Sequence, residues 1–422
     1  MSVRSETLPA GGNRVLAILL LAYIFNFVDR QILSVLQIPI KAELGLSDGQ
    51  IGLMGGLAFA LLYSGLGVPV AWLADRTDRV RIIAVSLGLW SAFTALCGTA
   101  QGFWHLFLAR MGVGVGEAGG VAPCYALISD YFPPERRARA LAIFSLGIPI
   151  GSALGVFFGG WLASSIDWRS AFMIIGGAGL LVVPLILFGI KDPGRGRFEA
   201  TPVDTPPPPF LLVMRTLAAK PSFWLLSFGA ASGSVLGYGL AFWLPPFLTR
   251  SLGLDLIDIS WFYGSIALVG GVAGVWLGGL FGDKLARIRP GGYPVIPAIC
   301  FLIAAPVYAA GLFASSLPVA WTMFTIGTAL GLAWLGPVIA AVQHIVAPGM
   351  RATASASFLL INNLLGIGFG IWFLGFMSER MTASMGDEAL RWSMFYGLGF
   401  YLLSACLYAL AALRLKRDWH EG

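Results

Sequence analysis

The chain reads Ala71-Trp72-Leu73-Ala74-Asp75-Arg76-Thr77-Asp78-Arg79 where one long apolar run ends, and Gly279-Leu280-Phe281-Gly282-Asp283-Lys284-Leu285-Ala286-Arg287 where another ends. Both stretches place an acid directly before one base and four residues before another, and each lies in a different half of the sequence. A second pair follows in step, because residues 134–140 and 348–354 share a proline, an arginine and two alanines. Such an internal repeat predicts a membrane transporter built from two related halves.

The composition supports a membrane protein. Hydrophobic residues make up 57% of the 422 residues and charged residues 11%, whereas roughly 25% of residues are charged in soluble domains. A soluble fold cannot bury that much apolar surface, so lipid is the expected solvent. The four cysteines and three histidines show no ligand spacing, so we expect no metal, no cofactor and no disulfide.

Apolar runs long enough to cross a bilayer fall into two groups of six. The predicted fold is an all-α membrane protein with twelve transmembrane helices in two pseudo-symmetric six-helix bundles. Residues 1–190 are expected to form the amino-terminal bundle, 191–220 a proline-rich cytoplasmic linker, and 221–422 the carboxy-terminal bundle. The predicted spans are 15–38, 49–73, 82–101, 104–128, 140–163, 168–190, 222–248, 258–282, 294–314, 318–345, 353–377 and 393–414.

The distribution of basic residues predicts the orientation. Of the 27 Lys and Arg residues, 20 fall on the side of the amino terminus, 5 on the opposite side and 2 within spans. Because cytoplasmic loops are enriched in these residues, both termini and the linker are expected in the cytoplasm. The net charge of +6 follows from this bias, so nucleic acid is not an expected partner. The short loops are consistent with a bacterial inner membrane.

Four ionisable side chains lie inside predicted spans, Asp29 and Arg30 in the first and Arg110 and Glu117 in the fourth. A charge at a helix centre costs about 2.5–3.5 kcal/mol on insertion scales, so buried charge is a functional hypothesis by default. At 1.5 Å per residue, Asp29 and Glu117 each lie roughly 20 Å from a membrane edge and can meet in the middle. We predict that they bind the coupled proton. A static ion network that holds the two spans together is the alternative.

Polar and aromatic residues suggest a substrate cavity. Asn26, Arg30 and Gln37 lie on one stripe of the first span. The spans of the second half contain no acid or base in their interiors and offer aromatic and amide side chains instead, which favours a substrate with a large apolar body. The candidate substrate and charge-network residues are Asn26, Arg30, Arg110, Tyr238, Trp243, Tyr263, Trp334, Asn362 and Asn363.

Over its whole length the chain resembles the major facilitator superfamily. The stretch after span 2 is similar to that superfamily's gating motif, Gly-x-Leu-Ala-Asp-Arg-x-Gly-Arg, with Ala71 and Asp78 in place of the two glycines. The resemblance implies a cytoplasmic gate, in which we expect Arg76 and Arg79 to reach Asp130 or Glu135. The full set of expected gate residues is Asp75, Arg76, Arg79, Asp130, Glu135, Asp283, Lys284 and Arg287.

Within that superfamily, about the first 180 residues resemble the spinster family of lipid transporters. The motifs that carry this resemblance are Asn-Phe-Val-Asp-Arg at 26–30, Arg-Met-Gly-Val-Gly-Val-Gly-Glu-Ala at 110–118, Ser-Asp-Tyr-Phe-Pro at 129–133, Gly-Ile-Pro-Ile-Gly-Ser-Ala-Leu-Gly at 147–155, and Trp168-Arg169. The resemblance implies proton-coupled transport of a lysolipid or a sphingosine-1-phosphate-like amphiphile, with Asp29 and Glu117 as the acid pair. The expected partners are this lipid-like substrate, protons and membrane lipids, and the expected working unit is a monomer.

Other functions remain open at this point. Carriers of organic anions, such as sugar acids, also show Asp-Arg in span 1 and Arg…Gly-x-Gly-Glu-Ala in span 4, and drug transporters share the superfamily. A passive lipid scramblase would use the same fold without a proton on Asp29 or Glu117. An enzyme is not expected, because the sequence has no nucleophile elbow, phosphate loop or metal-ligand spacing. We expect an anionic head to engage Arg30 first and Arg110 second, while the tail lies along the second half.

Overall fold

The computed structural model describes residues 11–74, 76–194, 209–288, 292–347 and 350–419, without the side chains of residues 68, 134, 135, 138, 210, 283, 286–288 and 352. The helices in these ranges are α1 (Gly12–Leu44), α2 (Asp48–Gly55), α3 (Leu57–Ala74), α4 (Arg79–Cys97), α5 (Phe103–Glu117), α6 (Val121–Tyr131), α7 (Pro134–Ser145), α8 (Gly147–Ser165), α9 (Trp168–Gly189) and α10 (Phe210–Ala218). They continue with α11 (Pro221–Leu252), α12 (Leu256–Ile288), α13 (Val295–Leu312), α14 (Leu317–Leu332), α15 (Leu335–His344), α16 (Arg351–Asn363), α17 (Gly370–Met385), α18 (Ala389–Gly397) and α19 (Gly399–Asp418). The predicted linker thus contains a short helix, α10, which the sequence did not indicate.

The described residues form twelve spans. By length and apolar composition, the described ranges contain eleven stretches able to cross a membrane, and the last of them, Thr353–Asp418, is 66 residues long. One crossing takes about 20 residues. A 3₁₀ turn at Gly386–Glu388, where Gly386 has a φ of 56°, divides this stretch into two. The predicted architecture of two six-helix halves is therefore confirmed.

Two of the spans are interrupted where the halves meet. Span 2 breaks at Gly56, between α2 and α3, and span 11 passes through a π-helical segment, Leu364–Phe369, between α16 and α17. A Cβ at Gly56 would lie 2.7 Å from the carbonyl oxygen of Gly368. Only glycine permits the backbones of the two halves to approach so closely here.

Side-chain caps fix the starts of several spans. Ser47 accepts a hydrogen bond from the Gln50 amide at 3.2 Å, and the Gln50 side chain accepts one from the Ser47 amide at 3.0 Å, closing a capping box at α2. Asp78 caps α4 by accepting from the Val80 amide at 2.9 Å. The aspartate that replaces a motif glycine is therefore a helix N-cap.

The end of α19 is tied to the start of α11. The Asp418 carboxylate accepts a hydrogen bond from the Ser222 amide at 2.9 Å, and Lys220 Nζ donates to the Asp418 carbonyl at 2.7 Å. Trp419 stacks on His344 with ring centroids 4.4 Å apart. With twelve spans, the start of α1 lies on this same side of the membrane, which we call the terminal side. The other is the opposite side.

Candidate transport site

Arg30 of α1 and Glu117 of α5 form an ion pair inside the amino-terminal half. Arg30 Nε lies 2.7 Å from Glu117 Oε2, and the exposed fractions of the two side chains are 13% and 0%. The rings of Phe27, Phe59 and Tyr63 surround the guanidinium, with centroids 5.2, 5.0 and 4.6 Å from its Cζ. The cation therefore keeps a small opening, while its acid is fully enclosed.

The glycines of α5 bring Glu117 into this position. A Cβ at Gly114 would lie 2.7 Å from the carbonyl oxygen of Phe59 in α3, and one at Gly116 would overlap the backbone of Trp90 in α4. Alternate glycines thus let α5 wedge between α3 and α4, since small residues permit close helix approach in membranes. The Gly-x-Gly-x-Gly spacing of residues 112–116 is a packing device that places the acid at its end.

Asp29 lies beside this pair without joining it. Its side chain is 1% exposed, and neither carboxylate oxygen has a hydrogen-bond partner. Glu117, Arg110 and Thr94 lie within electrostatic reach, although the Thr94 hydroxyl completes no hydrogen bond of ordinary geometry. Arg110 is 2% exposed, and its Nε and Nη1 atoms are also unbonded. The structure thus gathers both predicted acids and both predicted bases, with Arg30 and Glu117 as the bonded pair.

Four tyrosines cluster around Arg30. Tyr23, Tyr63, Tyr125 and Tyr238 lie within electrostatic reach of one another or of this guanidinium. They belong to α1, α3, α6 and α11, so the cluster crosses from one half of the molecule to the other. Tyr125 is 38% exposed. Of the four, the sequence predicted only Tyr238, because a lone aromatic in an apolar span carries no pattern that distinguishes a cavity from a core.

The carboxy-terminal half contributes amides and hydroxyls. Asn362 is 2% exposed. Its Oδ1 accepts a hydrogen bond from Ser234 Oγ at 2.8 Å, and its Nδ2 donates to Asn363 Oδ1 at 3.3 Å. The buried polar side chains described for this half are Asn362 and serines. Asn26, in the other half, is 1% exposed and faces Glu117 without a hydrogen bond of ordinary geometry.

Three further predicted substrate contacts are buried rings. Trp243 is fully buried and donates its indole N–H to the Ile371 carbonyl at 2.8 Å. Tyr263 donates to the Ala241 carbonyl at 2.7 Å, and Trp334 packs on Phe358 with centroids 6.3 Å apart. A role in substrate binding stays a prediction for each of the three.

At the terminal side, Arg79 joins one acid of its own half and one acid at the start of the linker. Its Nη1 lies 2.5 Å from Asp130 Oδ2, its Nη2 lies 2.5 Å from Asp192 Oδ1, and the arginine side chain is 3% exposed. Hydrogen bonds from Arg79 hold the pKa of the Asp192 carboxyl below its usual range. The structure thus places Arg79 on the predicted Asp130 and adds Asp192, which the sequence did not suggest.

Two further predicted gate residues, Arg76 and Lys284, lie at the surface. The exposed Arg76 guanidinium lies 4.0 Å from the Trp72 ring centroid. Lys284 is exposed. Outside the described residues and side chains fall Asp75, Glu135, Asp283 and Arg287.

The fold and this site define an integral multi-pass membrane transporter with a charged centre in one of its two halves. The family model of the Major Facilitator Superfamily matches residues 19–371, so the chain belongs to that superfamily and is not an enzyme. It is 34% identical over 404 residues to an MFS-type efflux pump of Mycolicibacterium smegmatis, covering 95% of this chain and 92% of that protein. It is 31% identical over 416 residues to protein spinster homolog 1 of Mus musculus, covering 93% and 78%.

A solved structure extends the likeness to three dimensions. It is the crystal structure of a bacterial homolog to the human lysosomal transporter spinster, in an inward-facing and unoccupied conformation. It superposes with a TM-score of 0.86 at 33% identity, covering 97% of this chain and 99% of that one. Within the superfamily, this is a transporter of the spinster type, as the motifs of its first half indicated.

Proposed function

We propose that this protein is a proton-coupled secondary transporter that moves a lysophospholipid or a sphingosine-1-phosphate-like amphiphile by alternating access. The observation that carries the proposal is the pairing of Arg30 with the fully enclosed Glu117 at 2.7 Å, next to the tyrosine cluster between the halves. The spinster relative and the spinster-like solved structure support a transporter of the spinster type, and the lipid class is what the family resemblance of the first-half motifs implies.

Coupling follows from competition for one guanidinium. An anionic head that binds Arg30 takes the cation away from Glu117, and a buried carboxylate without a partner cation is strongly disfavoured. Proton uptake by Glu117 removes that cost. Asp29, which lies within electrostatic reach of Glu117 and Arg110, is the second acid in the exchange. Asn26 faces Glu117 and can bond either protonation state, since an amide both donates and accepts.

The substrate head and tail divide between the halves. Arg30 and the phenols of Tyr23, Tyr63, Tyr125 and Tyr238 offer donors to a phosphate. The described interior of the carboxy-terminal half is apolar apart from Asn362, serines and the hydroxyls of buried tyrosines, so it suits an acyl or sphingoid chain. The path for the tail toward lipid runs between spans 5 and 8.

The two bundles, residues 1–190 and 221–422, rock on either side of this site, joined by the 191–220 linker. We place the terminal side, with its excess of Lys and Arg, in the cytoplasm of a bacterial cell. Asp75, Arg76 and Arg79 then form a cytoplasmic gate with Asp130 and Glu135, and the second repeat adds Asp283, Lys284 and Arg287. Asp75→Ala should weaken the outward-facing state, and unchanged labelling of engineered cytoplasmic cysteines would contradict this role.

The decisive experiment measures uptake into proteoliposomes with and without an inward proton gradient. Asp29→Asn and Glu117→Gln should abolish the response to the gradient, because each change keeps the shape of the side chain and removes its charge. Glu43→Gln is a matched control on α1, since Glu43 pairs with Arg169 at 2.7 Å, away from the centre. Wild-type pH dependence in both centre variants would overturn the assignment and favour a passive facilitator.

A second candidate is proton-coupled export of drug-like or other organic anionic compounds. The likeness to an MFS-type efflux pump over 95% of the chain favours it. Thermal-shift measurements with lysolipids, phosphosphingoid bases, sugar acids and cationic drugs distinguish the two candidates. A lipid transporter should be stabilised against thermal unfolding by the first two groups only.

A further inference from the structure

A polar cluster joins the two halves on the opposite side of the membrane. It contains three consecutive residues at the start of α2 and three residues from α11 and α17 of the other half. We call it the clasp, and its members are Ser47, Asp48, Gly49, Arg250, Ser378 and Glu379.

Asp48 is the centre of the clasp. Its Oδ2 and Oδ1 accept from Arg250 Nη1 and Nη2 at 2.6 and 2.7 Å, which makes a bidentate pair across the halves. Ser378 Oγ also donates to Oδ2 at 2.8 Å, and Lys41 Nζ, from the same half as Asp48, donates to Oδ1 at 2.5 Å. The Asp48 side chain is 3% exposed. Every acceptor site of this buried acid is thus used, and two of its three partners belong to the other half.

Glu379 makes the reciprocal connection. Its carboxylate accepts from the Gly49 amide at 2.9 Å and from the Ser47 hydroxyl at 3.0 Å, both at the start of α2. A helix N-terminus favours a negative charge at this position. A Cβ at Gly49 would overlap the Glu379 carboxylate. The first turn of α2 is therefore shaped to receive an acid from the other half.

The other ion pairs seen among the described residues do not join the two bundles. Glu43–Arg169 lies on the same side as the clasp but joins α1 to α9, and Arg79 on the terminal side bonds Asp130 and Asp192. Among the described residues, Asp48–Arg250 is the ion pair that connects the halves. Just inside the clasp, Gln37 Nε2 donates to the Phe242 carbonyl at 2.7 Å, another bond between them.

We propose that the clasp holds the transporter closed on the opposite side, and that its rupture is the step that opens this side. The residues of the clasp touch neither the Arg30–Glu117 pair nor its rings, so they position the halves and do not bind the substrate. The inference rests on the alternating access of the proposed function, but it requires neither a lipid substrate nor proton coupling.

The test measures the distance between the halves directly. The four cysteines, Cys97, Cys124, Cys300 and Cys406, are first replaced. Spin labels at the exposed positions Ser165 and Ala383 then report the distance between the halves on the opposite side by pulsed electron paramagnetic resonance. Asp48→Asn, Arg250→Gln and Glu379→Gln should raise the population with the longer distance at least tenfold. Glu43→Gln should leave the distribution unchanged, because its ion pair lies within one half.

Identical distributions in the parent and in the folded clasp variants would overturn the proposal. Should the charge variants fail to fold, Ser378→Ala removes one hydrogen bond and keeps all charges, so it should give a smaller shift in the same direction. No shift, or a shift toward the shorter distance, would also overturn it. The measurement uses no substrate and no proton gradient. Proton-independent uptake would therefore refute the proposed function and leave the clasp in place.

Discussion

The interiors of the two halves are built from different chemistry. The amino-terminal half buries Asp29, Arg110 and Glu117 within one network around Arg30, whereas the described interior of the carboxy-terminal half holds serines, Asn362 and packed rings. Each buried charge is expensive in a membrane, and gathering these four in one bundle lets their partners stay together. The apolar bundle can then move against the charged one without separating these four ions, whereas the Asp48–Arg250 pair at the opposite side joins the two bundles. This difference indicates that one half recognises the charged part of a substrate and the other half its apolar part.

The strongest way to test this division is to vary the substrate tail. Lengthening the chain of a lysolipid from eight to sixteen carbons should raise affinity by about 0.8 kcal/mol per CH₂, or about 6 kcal/mol in all. The reason is burial against the carboxy-terminal half. Binding measured by calorimetry gives the slope of binding free energy against chain length. Arg30→Lys should weaken the binding of every lysolipid in the series by the same amount and leave that slope unchanged. A flat series, with a short sugar acid competing well, would show that the second half recognises no tail.

Removing the cation of the charged half should have the next largest effect. Arg30→Met leaves Glu117 enclosed without its partner, a loss of about 3–5 kcal/mol for a broken buried pair, and uptake should fall at least 100-fold. Thermal unfolding and proteoliposome uptake check the two effects separately. For Arg30→Lys, which keeps the charge but loses the planar guanidinium, uptake and thermal stability should lie between those of Arg30→Met and those of the parent. Uptake within a few-fold of the parent would mean that the ion pair is only structural.

Removing a polar group from the apolar half should lower the free energy of unfolding by less than Arg30→Met does. Ser234→Ala removes the hydroxyl that bonds the buried Asn362 Oδ1 at 2.8 Å, and an unsatisfied buried acceptor costs about 1–3 kcal/mol. Denaturation in detergent measures this loss, while proton dependence of uptake should stay normal. The matched change Ser404→Ala removes a buried hydroxyl that bonds the Gly229 carbonyl and serves as a control for the loss of a buried hydrogen bond away from Asn362. Altered proton coupling in Ser234→Ala would break the division between the halves.

The smallest effect is expected at the terminal edge of the charged half. Because Arg79 keeps the pKa of Asp192 below its usual range, the contact stabilises the folded protein above pH 4, roughly the ordinary value for Asp. That contribution disappears as the pH falls through the lower folded-state pKa. Asp192→Asn should therefore destabilise by under about 1 kcal/mol at pH 7, and the difference from the parent should vanish in acid. Asp387→Asn, at an exposed turn, is the control for unfolding curves. If the stability difference between the parent and Asp192→Asn grew as the pH fell, it would contradict the prediction that ionised Asp192 stabilises the fold.

Sequence alone gave the spans and the depth of the charged residues, because hydropathy and the rise per residue are properties of single helices. It did not give the rotation of each span. In membranes both the lipid face and the packed face of a helix are apolar, so the sequence did not indicate that Trp243 and Tyr263 donate their polar hydrogens to backbone carbonyls. The clasp was missed for a related reason. Asp48 and Glu379 lie near span ends, where an acid is ordinarily solvated, and only the docking of α2 on α17 buries Asp48.

The hydrogen bond between Asp418 and Ser222 determines when the folding of α11 can be completed. The first turn of α11 receives this cap from a residue 196 positions further along the chain. At about 5–20 residues per second, the ribosome needs roughly 10 to 40 s to extend the nascent chain that far. Throughout this interval α11 is in the membrane with its first amides uncapped by Asp418. The amino-terminal bundle, complete by α9, can settle first and serve as the template on which the later helices assemble.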